Sequence, residues 1–417
     1  MKHKYKSIFA ANVGNTLEWY DFCLYGYFAP VFATLFFPSH NRSFSLILTY
    51  ASFAVGFLVR PLGGILFGYI GDHVSRTKAL NLAFVLIAIP TFCMGLLPTY
   101  QQIGIWAPIL LIVLRLLQGL SVAGQYTGSV VYVAELAHEK HRAFAIAFVW
   151  LFMNSGFLLG SFVSSASVHI GHAYHIDQIW RLPFLLSAVL FAIGMFSRRY
   201  LNDSVAFKRM THRDRKSLWQ NFRKIGFSSS TKMLILAILG AVTFNLLLVY
   251  SITYLHHIAG IPLADAMLIN MLCIFYVNAL VPLFGLFSDR VGRKPPMLIG
   301  CVGLFVLAIP VYYFMGQGHF WLALLSLLSI VTFQGLYLIA FTTILAEIFP
   351  THFRYTGASL SYNIGYGLFG GTAPLIATSI IYLTHQHFAP AYYLMACALA
   401  AFITVLTVRE TYQDKLH

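Results

Sequence analysis

The chain reads as long apolar runs separated by short polar breaks, many carrying Pro or Gly. Twelve runs lie at about 7–37, 43–71, 79–98, 105–136, 143–170, 180–200, 233–257, 264–288, 296–316, 319–346, 356–384 and 389–408. Each is long enough for the roughly 20 residues with which a helix crosses ~30 Å of hydrocarbon. Runs that exceed this length predict tilt, kinks or ends that protrude into water. The pattern therefore predicts an all-α membrane protein with twelve transmembrane helices.

The polar residues inside these runs are the informative exceptions. The segment Asn12 to Tyr25 (NVGNTLEWYDFCLY) puts Glu18 and Asp21 in the first span, with Glu18 roughly 15–20 Å from its Lys-bearing end and so near the bilayer centre. A charge there costs at least ~2–3 kcal/mol, which favours a residue facing protein or a water-filled path. Spacing places Asn15, Glu18, Asp21 and Tyr25 on one helix face. In span four Arg115, Gln118, Val122, Gln125 and Ser129 form a second polar stripe, and Arg60 sits near the middle of span two. One reading has Arg60 or Arg115 attract a substrate carboxylate while Glu18 or Asp21 exchanges a proton. The other has all four closed into an ion-pair network holding spans one, two and four together.

The second half offers uncharged polar groups. They are Asn245, Tyr250 and Tyr254 in span seven, Asn278 in span eight, Gln334 and Tyr337 in span ten, and Tyr362, Asn363 and Tyr366 in span eleven. Aromatic faces of this kind suit a quaternary ammonium.

Composition confirms the class: 59% of residues are hydrophobic and only 10% charged, against about 25% charged in a soluble globular chain. The formal charge of +14 points to nucleic acid only if the basic residues cluster on a soluble surface, and here they fall in short segments between apolar runs. Of the 27 Lys and Arg residues, Arg42 and Arg181 lie opposite the N-terminus, Arg60 and Arg115 lie within spans, and 23 lie on the N-terminal side. That asymmetry predicts both termini in the cytoplasm. The segment Arg198 to Lys232 holds ten basic residues and two acidic ones, which sets the expected organisation: a first bundle over 1–200, a basic cytoplasmic linker over 201–232 and a second bundle over 233–417.

The halves repeat. Gly68 to Lys78 (GYIGDHVSRTK) follows span two, and Gly285 to Lys294 (GLFSDRVGRK) follows span eight; Glu135 with Arg142 after span four matches Glu347 with Arg354 after span ten. The offsets, 217 between Asp72 and Asp289 and 212 between Glu135 and Glu347, nearly agree. Parallel repeats of six spans about an axis along the membrane normal follow, with a central cavity. Asp72, Arg76, Glu135, Arg142, Asp289, Arg290, Arg293, Glu347 and Arg354 are candidate gate residues. A carboxylate there gains about 0.3–1 kcal/mol beside a helix N-terminus, for which the start of span eleven at Thr356 to Ser359 is the expected partner.

The loop G-x-x-x-D-R-x-G-R-[RK] resembles the signature of the major facilitator superfamily. Gly285 to Lys294 matches it fully, while the first copy has His73 and Ser75 in place of the basic residue and the second Gly. Within that superfamily the chain resembles the metabolite:proton symporters, through Asn15 to Phe22 (NTLEWYDF), Phe57 to Gly64 (FLVRPLGG), Ile103 to Pro108, Leu117 to Ser121, Leu360 to Gly365 and Phe369 to Pro374. Ile103 to Leu111, Tyr126 to Ser129, Phe349 to Tyr355 and Pro390 to Met395 are similar to the proline/betaine branch, and Phe369 to Pro374 also to organic-acid members. Where these symporters usually have an acid after two glycines in span four, this chain has Gln125, which cannot titrate. Osmosensing members carry a long C-terminal extension, whereas nine residues follow Val408 here, an expectation against osmotic sensing.

The resemblance implies the two-bundle major facilitator fold and import of a small zwitterionic or carboxylated metabolite by proton symport through alternating access. Substrate binding is expected from Tyr25, Arg60, Arg115, Gln118, Gln125, Tyr250, Tyr254, Asn278, Tyr362, Asn363 and Tyr366, and proton coupling from Glu18 and Asp21. The expected setting is a bacterial inner membrane, with a monomer surrounded by lipid and with substrate and protons as its partners. Rival readings are a facilitated-diffusion carrier, which Gln125 favours, an exporter of the same fold, and a transporter-like sensor. Span five reads Asn154 to Gly160 (NSGFLLG) without the Pro typical of exporters, and a sensor's added soluble domain has no room. No phosphate-binding loop, nucleophile elbow or paired catalytic carboxylate is present, so no enzyme activity, cofactor or metal is expected. The five cysteines lie in apolar runs and His169, His172 and His175 in a loop, with His256 and His257 ending span seven.

Overall fold

The computed structural model describes residues 2–40, 42–176, 178–203, 207 and 227–416, and no strand occurs among them. Most of the expected linker, residues 204–206 and 208–226, lies outside the described residues.

The expected spans form helices, and proline dictates several of their breaks. Span one divides into α1 (Lys2–Tyr27) and α2 (Ala29–Phe36), with Pro30 in the first turn of α2. Span two divides at Val59 into α3 (Arg42–Leu58) and α4 (Arg60–His73), with Pro61 following Arg60. Proline lacks the N–H that would continue the preceding helix but suits a first turn. Then follow α5 (Arg76–Leu96), the single turn α6 (Tyr100–Ile103), α7 (Trp106–Leu136), α8 (Arg142–Tyr174) and α9 (Arg181–Ser197), which ends in a 3₁₀ turn over Arg198–Tyr200.

Span seven is α10 (Phe227–Phe244), a π-helical turn Asn245–Val249, and α11 (Tyr250–His257). Spans eight to ten are α12 (Leu263–Val291), α13 (Lys294–Met315) and α14 (Phe320–Glu347). Span eleven repeats the interruption, with α15 (Arg354–Ile364), a π turn Gly365–Gly370 and α16 (Gly371–Thr384); α17 (Pro390–Thr407) is the last. Such π turns loosen the regular backbone ladder and cluster at functional sites.

Eleven stretches among the described residues are long and apolar enough to cross a membrane. The first span is not one of them, because Asn12, Asn15, Glu18 and Asp21 lower its hydropathy. It is nevertheless buried, α1 packing against α5, α7 and α9.

Two compact units emerge, one of Met1–Leu136 with Leu151–Arg215, the other of Ala137–Trp150 with Lys216–His417. Helix α8 thus begins in the second unit and continues in the first. In the first unit α7 is the hub, touching α1, α3, α4 and α5. A Cβ on Gly119 would run into the backbone of Gly56, so glycine lets α3 and α7 meet at backbone distance. An aromatic cluster that includes Phe28, Phe32, Phe36, Trp180 and Phe184 fills one part of the unit. In the second unit α13 packs between α14 and α17, and α12 lies along α14.

Candidate functional site

In the first unit Asn12, Asn15, Glu18 and Asp21 follow one another at three-residue steps along α1, and all are buried. Among the described residues both carboxylate oxygens of Glu18, both amide atoms of Asn15 and Oδ1 of Asp21 lack a hydrogen-bond partner. Each such atom forfeits roughly 1–3 kcal/mol, so a whole row demands a reason beyond folding.

Two arginines, Arg198 and Arg60, are the cations whose charge bears on Glu18. Arg60 is the first residue of α4, buried, with Cζ 5.6 Å from the Phe57 ring. Arg198 was expected among the cytoplasmic basic residues. Instead it is 4% exposed, with Cζ 4.1 Å from the Phe84 ring, Nη1 donating to Asn81 Oδ1 at 3.1 Å and Nη2 to Gln125 Oε1 at 3.2 Å. Its place after Arg181–Ser197 makes it look like a flanking positive charge, and only its proximity to α1 and α7 reveals otherwise. Gln125 donates in turn to Ser129 Oγ at 3.4 Å.

Arg115 belongs to a different environment. Its Cζ lies 4.5 Å from the ring centres of Phe22 and Tyr25 and 4.4 Å from that of Phe53. Nη1 donates to Gln118 Oε1 at 2.7 Å and to the Phe22 carbonyl at 3.5 Å, while Nε and Nη2 have no partner among the described residues. Gln118 donates onward to Thr91 Oγ1 at 2.7 Å. Tyr25 donates to the Thr49 carbonyl at 3.1 Å and meets the Ser52 hydroxyl. Arg115, Gln118 and Tyr25 are thus drawn into one aromatic enclosure, with no carboxylate paired to Arg115 among the described residues.

In the second unit the candidate residues form two groups. Tyr362 and Tyr366 stack at 4.1 Å between ring centres, and Asn363 donates to the Ser359 carbonyl at 2.8 Å. Tyr250 accepts from Thr378 Oγ1 at 3.3 Å and meets Tyr254 edge-on, whose hydroxyl donates to the Tyr312 carbonyl at 3.0 Å. Asn278 is half-buried on α12. Asn245 donates back to the Ala241 carbonyl and Tyr337 to the Leu236 carbonyl, both structural bonds.

The gate candidates assemble into two matching triads. Arg76 pairs with Asp72 four residues earlier and, at 3.0 Å, with Glu135; Arg293 pairs with Asp289 at 2.9 Å and Glu347 at 2.9 Å. Burial opposes the Arg293 charge, but Glu347 and Asp289 outweigh it and raise its pKa, so it stays protonated at every physiological pH. Arg142 joins the second triad through Glu347 Oε1 at 2.6 Å. Asp289 accepts from the backbone N–H groups of Ala143 (3.0 Å) and Phe144 (2.8 Å). The helix N-terminus that Asp289 caps is therefore that of α8, in span five. Arg290 is exposed, apart from the triad, and Arg354 donates to the Phe349 carbonyl at 3.2 Å.

Each triad carries a strap absent from the expected set. Asp203 Oδ1 accepts from Ser75 Oγ (2.8 Å), Thr77 N (3.0 Å) and Thr77 Oγ1 (3.1 Å) at the start of α5. Glu410 accepts from the Arg293 and Lys294 amides at 3.0 Å each at the start of α13, and Thr411 Oγ1 donates to Glu347 Oε2 at 2.5 Å. Asp203 and Glu410 are 207 positions apart, close to the offsets of the two repeated motifs. That spacing was the signal available in the sequence.

The sequence matches the Major Facilitator Superfamily over residues 19–374. It is 36% identical to the proline/betaine transporter of Escherichia coli K12 over 97% of this chain and 83% of that one. It is also 36% identical, with the same coverage, to the glycine betaine/proline/ectoine/pipecolic acid transporter OusA of Dickeya dadantii. Among solved structures, the proton:xylose symporter XylE bound to a bromodeoxyglucose superposes with a TM-score of 0.81 at 18% identity, covering 100% of this chain and 98% of that one. At that identity the likeness concerns the fold.

Proposed function

Because the chain belongs to the major facilitator superfamily, we propose that it is a secondary transporter importing a small zwitterion of the proline/betaine class together with protons. The transporters named above support the substrate class. The observation that carries proton coupling is Glu18: fully buried, with neither oxygen hydrogen-bonded among the described residues, and coupled electrostatically to Arg198 and Arg60. A carboxylate so placed has an acceptor ready for a proton and neighbouring cations whose influence depends on whether the proton is there. Asp21, one turn on, is the second candidate carrier. Arg115, enclosed by three rings, is assigned to packing.

Alternating access requires the cytoplasmic ends of the helices to part and rejoin. The Asp289 cap on α8 and the Arg142–Glu347–Arg293 pairs are contacts that such a motion breaks and remakes. The distribution of Lys and Arg supports cytoplasmic termini in a bacterial inner membrane, and a single chain carries every group this scheme uses.

The test is proline and glycine betaine uptake into proteoliposomes under an imposed pH gradient. Glu18→Gln is expected to abolish gradient-driven accumulation while preserving exchange of labelled for unlabelled substrate. Undiminished proton flux in both Glu18→Gln and Asp21→Asn would sink the assignment. Facilitated diffusion is the second reading, favoured by Gln125; wild-type uptake indifferent to the pH gradient would establish it.

A further inference from the structure

Two helices of the second unit, α13 and α17, pack side by side, and their seam is not flush. Small residues, Cys301 and Ala398, leave a groove of about 140 Å³ between the larger side chains of Val302, Phe305, Leu399 and Phe402. Cys301 and Ala398 form its buried floor, whereas Val302 and Leu399 are half-exposed, so the groove opens on the apolar surface of a membrane-spanning bundle. An apolar cavity of about 150 Å³ takes a ring of six carbons. A groove of this size takes a comparable length of acyl chain.

The apolar surface continues along α17 through exposed Ile403 and Leu406, and at Leu406 its character changes. Lys294 Nζ donates to the Leu406 carbonyl at 3.2 Å and Lys232 Nζ to the Thr407 carbonyl at 3.0 Å, so ammonium groups from α13 and α10 converge on adjacent carbonyls at the end of α17. Leu399 and Leu406 lie about 10 Å apart along the helix, which keeps groove and ammonium groups within one leaflet, half of a ~30 Å hydrocarbon core plus its headgroups. Of the three donors on each ammonium the carbonyl takes one. Neither lysine pairs with a carboxylate among the described residues. The acids at this rim are engaged elsewhere: Glu410 accepts the Arg293, Lys294, Thr411 and Tyr412 amides, and Asp414 pairs with Arg409. Capping of α17 accounts for where the two ammonium groups sit. It does not account for their lying in line with a chain-sized groove.

We infer that this seam binds one phospholipid with an anionic headgroup, its phosphate on Lys232 and Lys294 and part of one acyl chain in the groove. A zwitterionic headgroup brings a cation of its own to two ammonium groups that have no acid partner, and an anionic headgroup does not, which sets the preference. None of these residues is assigned to substrate or proton, so the site stands or falls apart from the transport reading.

The test is native mass spectrometry of the full chain in detergent, titrated with phosphatidylglycerol and phosphatidylcholine of identical long acyl chains. Wild type is expected to retain the anionic lipid about tenfold better. Lys232→Gln combined with Lys294→Gln should bring the two lipids within about twofold, whereas Leu399→Trp, which crowds the groove, should weaken both and leave their ratio. Each ratio is read on one sample, so a variant that folds poorly still reports. Neither inorganic phosphate nor dihexanoylphosphatidylglycerol should displace the long-chain lipid, since one lacks a chain and the other has a chain too short to reach from the ammonium groups through the groove. Equal retention of the two lipids by wild type, or an undiminished preference in the double-lysine variant, reduces the lysines to helix caps and overturns the site. Displacement by either competitor, or retention unmoved by Leu399→Trp, removes the groove from binding and overturns it equally.

Discussion

Arg198 donates to Gln125 across 3.2 Å, joining the end of the sixth span to the middle of the fourth through a neutral acceptor. Gly14 on α1 makes the meeting possible, since a Cβ there would run into both the guanidinium and the amide. With an acid at position 125 the arginine would be neutralised locally. With glutamine its charge remains directed at Glu18. The departure from the family pattern at Gln125 thus changes the electrostatics around the first span and leaves the hydrogen-bond geometry filled.

Gly14→Ala is therefore expected to cost about 1–3 kcal/mol of stability through overpacking. Part of that loss should return in an Arg198→Met background, because the guanidinium is the group nearest the added methyl. A double-mutant cycle of melting in detergent reads the coupling. Strictly additive effects would place Arg198 elsewhere.

The enclosure of Arg115 makes an unusual prediction for a buried arginine. Breaking a buried ion pair generally costs about 3–5 kcal/mol because the partner charge is stranded. Arg115→Met strands no carboxylate and leaves only the Gln118 oxygen and a 3.5 Å carbonyl contact open. It should cost about 1–3 kcal/mol, and Arg115→Lys should be no milder, because an ammonium cannot stack flat against Phe22, Tyr25 and Phe53. Melting of the two variants side by side checks the order.

Asp289 does two things at once, pairing with Arg293 and capping α8. Asp289→Ala should free the Ala143 and Phe144 amides and speed their hydrogen exchange at least about tenfold, matching the loss of roughly 1.5–3 kcal/mol from charged hydrogen bonds. Asp289→Asn retains an acceptor and should lie between. Unaltered exchange at both amides in the alanine variant would disconnect Asp289 from the helix start.

Much of this is legible in the sequence. The apolar runs located the spans because lipid enforces helix wherever a long apolar run crosses it. The repeated Gly-x-x-x-Asp loops located both triads, since Asp72 and Arg76, like Asp289 and Arg293, stand one helical turn apart and pair along their own backbone. Tertiary placement was not legible. Arg198 has the same local setting as any flanking basic residue, and nothing adjacent to it encodes burial against Phe84. Arg115 and Gln118 share a helix face, as their spacing required, but the three rings around Arg115 come from the first and third helices. The helix that Asp289 caps could not be chosen from sequence either, because every span offers free N–H groups at its start.

The two straps provide the last prediction. Glu410 receives the Arg293 and Lys294 amides, and the residue between Val291 and Arg293 is a glycine at φ 100°, whose Cβ would sit against the Glu410 carboxylate. Asp203 receives the Thr77 amide at the corresponding helix start of the first unit. Glu410→Ala should accelerate exchange at Arg293 and Lys294 about tenfold or more, the loss of a charged cap being worth roughly 0.5–2 kcal/mol with a further contribution from the helix dipole. Asp203→Ala should do the same at Thr77 and leave Arg293 untouched, because each carboxylate serves its own triad. Thr411→Val removes only the 2.5 Å bond to Glu347 and should loosen the second strap without opening the Glu410 cap. If Asp203→Ala accelerated exchange at Arg293 as much as at Thr77, the straps would be one cooperative element rather than two repeats of the same device.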